Sequence, residues 1–230
     1  MQYREFGKTG VKVSRLGFGA MRLPTSDPDQ AVELLREGIK RGINYLDTAL
    51  YYLDGQSEVF VGRAIKGQRD KVIVSTKNPI EDASGANWRK RLETSLSKLD
   101  TDYIDFYHMW AINWDKYTQM IDVPGGPMEE ARKAKEEGLI RHISFSFHDT
   151  PENLIKLIDT GNFETMLVQY NLLDRSNEEG INYAKEKGLG VAVMGPVGGG
   201  RLGAPSEEIR RLIPTGTKSS AEMALRFVLS

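Results

Sequence analysis

The sequence has 230 residues, a length that suits one large α/β domain or two small ones. Its 31 lysines and arginines nearly balance 32 aspartates and glutamates, and the formal net charge of −1 argues against nucleic acid or an anionic membrane as a partner. The sequence has no cysteine, no signal-peptide pattern and no apolar run near the roughly 20 residues of a membrane span, so we expect a cytoplasmic protein without disulfides or cysteine-ligated clusters.

The hydrophobic pattern predicts short strands that alternate with helices. Residues 3–6 and 11–13 are predicted to form a small hairpin around a glycine-containing turn. Further strands are predicted at residues 15–20, 43–46, 72–76, 103–110, 142–147, 165–170 and 190–194. Helices are predicted at about residues 28–41, from Ser57 onward with Ser57 as N-cap, and at 86–99, 127–137, 151–160, 178–187 and 221–229.

Such alternation is typical of a parallel sheet with right-handed crossovers. The strand–helix units favour the α/β class and a TIM-type (β/α)8 barrel with an N-terminal β-hairpin, formed by residues 1–230 as a single domain. A doubly wound dinucleotide fold is disfavoured, because the first strand runs into LGFGAM at residues 16–21 and lacks the G-x-G-x-x-G pattern. In a barrel, the chemistry belongs to the C-terminal ends of the strands.

Three polar side chains are expected to meet at those strand ends. Asp47 and Lys77 follow the second and third predicted main strands, and Tyr52 lies in the loop after Asp47. A tyrosine with its ordinary pKa of roughly 10 is a poor acid at neutral pH. A Lys77 cation would stabilise the phenolate of Tyr52, and Asp47 would keep Lys77 charged and oriented. The three residues together predict a proton-donating site.

The motifs around these residues resemble those of the aldo-keto reductase family over nearly the whole sequence. They are D-T-A at residues 47–49 followed by Tyr52, LGFGAM at residues 16–21, and Q-Y-N at residues 169–171. The resemblance implies three catalytic residues, Asp47, Tyr52 and Lys77. The tyrosine of the family pattern comes five residues after the aspartate, which selects Tyr52. Its neighbour Tyr51 is then expected to form part of the wall of the substrate pocket.

The fourth main strand departs from the family pattern Y-I-D-x-Y-x-x-H. Trp110 stands where that histidine is expected to bind the substrate carbonyl, and His108 lies two residues earlier. By the period of a strand, both side chains face the same side, with His108 deeper in the barrel. We therefore place Trp110 and His108 with the substrate pocket. A hydrogen-bonded core position is the alternative for His108, and the indole of Trp110 can donate a hydrogen bond but cannot exchange a proton at neutral pH.

The same resemblance implies a bound nicotinamide cofactor, NADPH or NADH, with NADPH favoured by family habit. Its expected contacts are Gly19, Met21, Ser146, Gln169, Met194 and Arg201. Ser146 and Gln169 would bind the carboxamide, although Phe147 replaces an asparagine that often contributes. Met194 would pack on the nicotinamide ring or simply in the core. The glycine-rich segment 195–203 would bring backbone amides and Arg201 to the phosphates, or would be a plain flexible loop.

Members of the family continue with an eighth strand and a basic loop for the adenosine 2′-phosphate. Neither is recognisable in residues 1–230, so the eighth strand is expected to be missing from this barrel. Exposed edges on the first and seventh strands would then favour self-association.

The expected function is NAD(P)H-dependent reduction of an aldehyde or ketone, with Tyr52 as proton donor. One alternative is a non-catalytic or weakly active nucleotide-binding relative, which Trp110 favours. Another is a barrel aldolase or sugar-phosphate isomerase, in which Lys77 would form a Schiff base. The identity of the carbonyl substrate is not readable from the sequence.

Overall fold

The structure is a computed structural model that describes residues 1–204, 207, 211 and 219–230. Its strands are β1 (Tyr3–Glu5), β2 (Lys12–Ser14), β3 (Phe18–Gly19), β4 (Tyr45–Asp47), β5 (Ile73–Pro79), β6 (Ile104–Ile112), β7 (Ile140–Phe147), β8 (Thr165–Gln169) and β9 (Gly190–Met194). Its helices are α1 (Pro28–Lys40), α2 (Ser57–Ile65), α3 (Gly85–Leu99), α4 (Trp114–Lys116), α5 (Pro127–Glu136), α6 (Pro151–Asp159), α7 (Glu178–Lys187) and α8 (Ser220–Leu229). None of the described helices is both long enough and apolar enough to cross a membrane.

Strands β3 to β9 form one parallel sheet in the order of the chain, and β1 pairs with β2 as an antiparallel hairpin. This order confirms the predicted parallel, barrel-type arrangement with its N-terminal hairpin. Strands β3 and β9 are the two edges of the sheet, and the described residues contain no eighth main strand.

Several predicted strand boundaries differ from the observed ones, and two of these differences bear on the site. The first main strand is only two residues long. The amide of Arg15 donates to the carbonyl of Gln2 beside the hairpin, and the carbonyl of Leu16 accepts from Ser14 Oγ, so these residues bond locally and not to β4. Strand β5 continues to Pro79, since its residues pair in register with β6 as far as Pro79 opposite Trp110. Lys77 therefore lies inside its strand.

Ser57 is not the N-cap of α2, as the sequence predicted, but the first residue of the helix. Gln56 is the N-cap of α2 and makes no side-chain capping bond. Ser57 Oγ instead donates to the carbonyl of Ala20 at 2.9 Å and lies 2.7 Å from Thr48 Oγ1. These buried bonds tie the first turn of α2 to the residues that follow β3 and β4.

The hairpin covers the N-terminal end of the barrel. Phe6 packs edge-on against Phe106 with ring centres 5.1 Å apart, and Phe106 stacks on His142 at 4.8 Å. The amide of Lys8 donates to the carbonyl of Gly188 at 2.8 Å, just before β9. The hairpin therefore fills the N-terminal end of the barrel. The C-terminal ends of the strands, where barrels of this type carry their active sites, lie at the opposite end.

Candidate active site

A partly buried ion pair joins Asp47, at the end of β4, to Lys77, which lies within β5. Lys77 Nζ lies 2.5 Å from Asp47 Oδ1 and also donates to the backbone carbonyl of Thr48 at 2.6 Å. The side chain of Lys77 is 1% exposed and that of Asp47 is 18% exposed. A buried ammonium is tolerated only when it is paired and hydrogen-bonded, and here both conditions are met.

Tyr52 lies directly over this pair. Its amide donates to the carbonyl of Ala49 at 3.2 Å, within the turn that leads from β4 towards α2. Lys77 Nζ lies 4.8 Å from the centre of the half-exposed Tyr52 ring. An ammonium in this position is attracted by the electron-rich face of the ring. The structure thus brings together Asp47, Tyr52 and Lys77, the three residues that the sequence indicated.

Trp110 and Tyr51 form an aromatic wall beside Tyr52. The rings of Trp110 and Tyr52 meet edge to face with centres 5.4 Å apart, and the centre of Tyr51 lies 6.2 Å from that of Trp110. The hydroxyl of Tyr51 donates to Glu81 Oε1 at 3.1 Å. Partial burial and this bond raise the pKa of Tyr51. The wall therefore presents neutral rings around the phenol of Tyr52.

His108 lies below this wall and is fully buried. Its Nε2 is 2.9 Å from Ser75 Oγ, which in turn donates to Asp47 Oδ2 at 3.0 Å. Burial, and then the nearby Lys77 cation, lower the pKa of His108 to about 4. The imidazole is therefore neutral at pH 7 and linked to the carboxylate of Asp47. Its assignment to the substrate pocket remains a prediction.

Ser75 was not among the residues that the sequence singled out. Ser75 lies two residues before Lys77 in β5, so the two-residue period of a strand would have placed both side chains on the same face of the sheet. Glu81, which holds Tyr51, is a loop residue with no sequence signal of its own.

The candidates for cofactor binding on β7 and β8 have polar groups near the strand ends. Ser146 is 1% exposed, and its hydroxyl accepts a bond from the amide of Ala111 at 2.8 Å. Gln169 ends β8, and its side chain lies against Gly195. A Cβ added at Gly195 would come 2.7 Å from Gln169 Oε1, and the backbone φ of Gly195 is +66°, so glycine is required there. Asn171, a residue to which the sequence gave no role, donates to the carbonyl of Gly195 at 2.9 Å and fixes this approach.

The remaining candidates lie on, or after, the edge strands β3 and β9. Gly19 ends β3, and the side chain of Met21 just beyond it is 53% exposed. Met194 ends β9 opposite Gln169 in the parallel register and is half-buried. Arg201 is exposed, and its Nε donates to the carbonyl of Gly198 at 3.0 Å, within the glycine-rich segment. The binding roles of these residues remain predictions.

Comparison with known proteins finds the family that the sequence motifs resemble. Residues 15–230 match the model of the aldo/keto reductase family. An uncharacterized oxidoreductase of Bacillus subtilis, YqkF, is 34% identical over 88% of this chain and 67% of its own length. The chain spans about two thirds of the length of the curated relatives it matches.

Solved structures resemble it along most or all of the chain. The holo form of the aldo-keto reductase AKR11C1 from Bacillus halodurans matches with a TM-score of 0.87 at 34% identity, covering 100% of this chain and 82% of that one. An aldo/keto reductase from Klebsiella pneumoniae, solved in complex with NADP and acetate, matches with a TM-score of 0.81 at 30% identity, covering 97% and 80%. The chain belongs to the aldo/keto reductase family.

Proposed function

We propose that the protein is an NAD(P)H-dependent carbonyl reductase that converts an aldehyde or ketone to an alcohol, with Tyr52 as the proton donor. The observation that carries this proposal is the ion pair of the buried Lys77 with Asp47, which lies beneath the phenol ring of Tyr52. Family membership and the NADP-bound relative support an oxidoreductase that uses a nicotinamide cofactor.

The residues at the strand ends fit a nicotinamide cofactor. The hydroxyl of Ser146 accepts from Ala111 and keeps its own proton free to donate, and the side-chain amide of Gln169 can both donate and accept. These two groups would hold a carboxamide, while the backbone amides of the glycine-rich segment and Arg201 would face the phosphates. When bound, the cofactor supplies a hydride from C4 of its nicotinamide ring.

The chain's own residues supply the proton and control its transfer. Tyr52 would donate its phenolic proton to the alkoxide oxygen that forms on the substrate. Lys77 would stabilise the phenolate left behind, and Asp47 would hold Lys77 in place. Because Tyr52 is half-exposed, it can regain a proton from solvent between turnovers. The aromatic wall would exclude water from the reacting carbonyl and offer the indole N–H as a hydrogen-bond donor.

A weakly active or non-catalytic nucleotide-binding relative is the second candidate. It is favoured by Trp110 at the position of the family histidine and by the burial of His108, which keeps that imidazole away from the mouth of the site. The two candidates differ in turnover and not in cofactor binding.

The proposal is tested by two measurements on the same preparation. Cofactor binding is followed by fluorescence during titration with NADPH and with NADH, and turnover by the loss of nicotinamide absorbance with a panel of aldehydes and ketones. We expect both binding and carbonyl-dependent oxidation of the cofactor. Binding without turnover would favour the second candidate. Covalent trapping of a carbonyl substrate on Lys77 by borohydride would contradict both and support Schiff-base chemistry.

A further inference from the structure

A line of hydrogen bonds runs from the catalytic ion pair into the barrel interior. Asp47 contacts Lys77 through Oδ1 and accepts a bond from Ser75 through Oδ2. Ser75 Oγ is also 2.9 Å from His108 Nε2. Ser75 and His108 are both fully buried, and they come from the adjacent strands β5 and β6.

The direction of these bonds follows from the number of protons. A carboxylate paired with Lys77 can only accept, so the single hydroxyl proton of Ser75 must point to Asp47. The oxygen of Ser75 is then left as the acceptor for His108, whose Nε2 must carry the proton. The chain therefore runs from the imidazole N–H through the hydroxyl to the carboxylate.

A packing role alone would not require an imidazole at this depth. Burial of a polar ring without a partner costs roughly 1–3 kcal/mol, whereas a leucine of similar size would cost nothing of this kind. Asp47, by contrast, is not held by burial, because its side chain is 18% exposed. Its carboxylate could rotate if Lys77 were its only contact. A second anchor on Oδ2 removes that freedom.

We propose that Ser75 and His108 are positioning residues that fix the carboxylate of Asp47, and through it the ammonium of Lys77, beneath Tyr52. Neither residue would touch the substrate, so the proposal replaces the substrate-pocket role that the sequence predicted for the fully buried His108. The inference rests on the proposed carbonyl reduction, since Ser75 and His108 would affect the rate only by way of proton transfer from Tyr52. In this proposal the imidazole of His108 orients the carboxylate of Asp47 through Ser75, and Trp110, two residues farther along β6, lies beside Tyr52.

Ser75→Ala and His108→Leu each remove one link of the chain. We expect kcat for aldehyde reduction to fall by roughly 10-fold to 100-fold, because a small displacement of catalytic groups has effects of this size. The KM values for cofactor and aldehyde should stay within about twofold. His108→Gln, whose amide can donate from nearly the same place, should restore most of the rate. The double variant Ser75→Ala/His108→Leu should be no slower than Ser75→Ala, since both act through one contact.

Ser144→Ala is the matched control. Ser144 is also fully buried, lies opposite His108 in the register of β7, and bonds to Thr165 Oγ1 at 2.6 Å and not to Asp47. Its loss should lower the melting temperature about as much as Ser75→Ala without the fall in kcat. Equal kcat losses in Ser75→Ala and Ser144→Ala would overturn the proposal, because they would indicate general damage to the barrel.

The tautomer of His108 gives a readout that does not depend on turnover. Nitrogen-15 NMR should show a neutral ring protonated at Nε2 at pH 7, and Ser75→Ala should shift its Nε2 signal. Protonation at Nδ1 alone would overturn the inferred direction of the chain. If the parent protein reduces no carbonyl while the Nε2–H tautomer and its dependence on Ser75 are seen, the proposed function fails and the anchoring of Asp47 stands.

Discussion

Trp110 meets Tyr52 edge to face, with ring centres 5.4 Å apart and ring planes at 88°. This contact places an indole over the phenol that is proposed to give up its proton. An indole N–H can orient a substrate oxygen, but it cannot take part in proton exchange at neutral pH. If the protein reduces carbonyls as proposed, we expect Trp110 to bind and orient the substrate and not to act as a second acid.

Trp110→His should raise kcat for aldehyde reduction several-fold. A histidine at this position could donate a proton-bearing nitrogen towards the carbonyl, in addition to the phenol of Tyr52. Steady-state kinetics with NADPH and a model aldehyde would measure the change. Trp110→Phe, which keeps a ring but gains no imidazole, serves as the control and should show no gain. An equal gain in both variants would mean that relief of crowding, and not acid catalysis, explains the effect.

Lys77→Met should lower kcat by at least about 100-fold while the protein still binds cofactor. The loss follows from removing the cation that stabilises charge on Tyr52. Circular dichroism would check that the variant folds, since Asp47 loses its cationic partner. Lys98→Met is the comparison, because Lys98 lies nearby and, among the described residues, donates to the carbonyl of Leu50 and not to Asp47. It should keep at least a third of the parental kcat, and full activity of Lys77→Met would refute the role of Lys77.

The buried imidazole of His108 predicts a dependence of stability on pH. Burial, followed by the Lys77 cation and opposed by Asp47, holds the pKa of His108 at about 4, against about 6.5 in an unfolded chain. Between these values the unfolded chain binds a proton that the folded chain does not, so stability falls as the pH falls.

His108→Gln removes this titration and tests it. Relative to that variant, the parental free energy of unfolding should decrease by up to roughly 3 kcal/mol as the pH falls from about 6.5 to 4. Urea unfolding of both proteins at several pH values would measure the difference. A difference that does not change over this range would contradict the predicted burial of a neutral imidazole.

Gly7→Ala should weaken the closure of the barrel by the hairpin. Gly7 has a φ of +59°, and a Cβ there would come 2.3 Å from the amide nitrogen of Gly190 at the start of β9. Gly10, in the same turn, has a φ of +73° but nothing within 4 Å of the added atom. Gly10→Ala should therefore cost only the backbone strain of about 1–2 kcal/mol, and Gly7→Ala clearly more. Equal decreases in the free energy of unfolding, measured with urea, would show that the hairpin can move away from Gly190 at little cost.

The sequence alone predicted the type and order of the elements well, because these depend on local patterns. Glu178–Lys187 and Gly190–Met194 have the boundaries expected from their apolar periodicity and glycine turns. Asp47 and Lys77 meet because β4 and β5 are parallel neighbours, with Asp47 opposite Ser75 and Lys77 two residues farther along β5.

The residues that it missed depend on contacts between distant parts of the chain. Ser57 fits a local capping pattern but bonds to Ala20, 37 residues earlier. Ser75 bonds to His108, 33 residues later, through a register between β5 and β6 that no local pattern specifies. Composition and spacing show which side chains can bond, whereas the partner is chosen by the packing of the sheet.

The proton-donor role of Tyr52 is tested most directly by comparing Tyr52→Phe with Tyr51→Phe. The two variants remove one hydroxyl each from neighbouring residues, but only Tyr52 lies over Lys77 Nζ, at 4.8 Å. Tyr51→Phe removes the hydrogen bond to Glu81 that holds the ring of Tyr51 in the aromatic wall, and it leaves Tyr52 and Lys77 in place. It should therefore change mainly KM. Tyr52→Phe should bind NADPH as the parent does and lose at least about 100-fold in kcat for a model aldehyde. Reduction of that aldehyde by Tyr52→Phe at the parental rate would contradict the account.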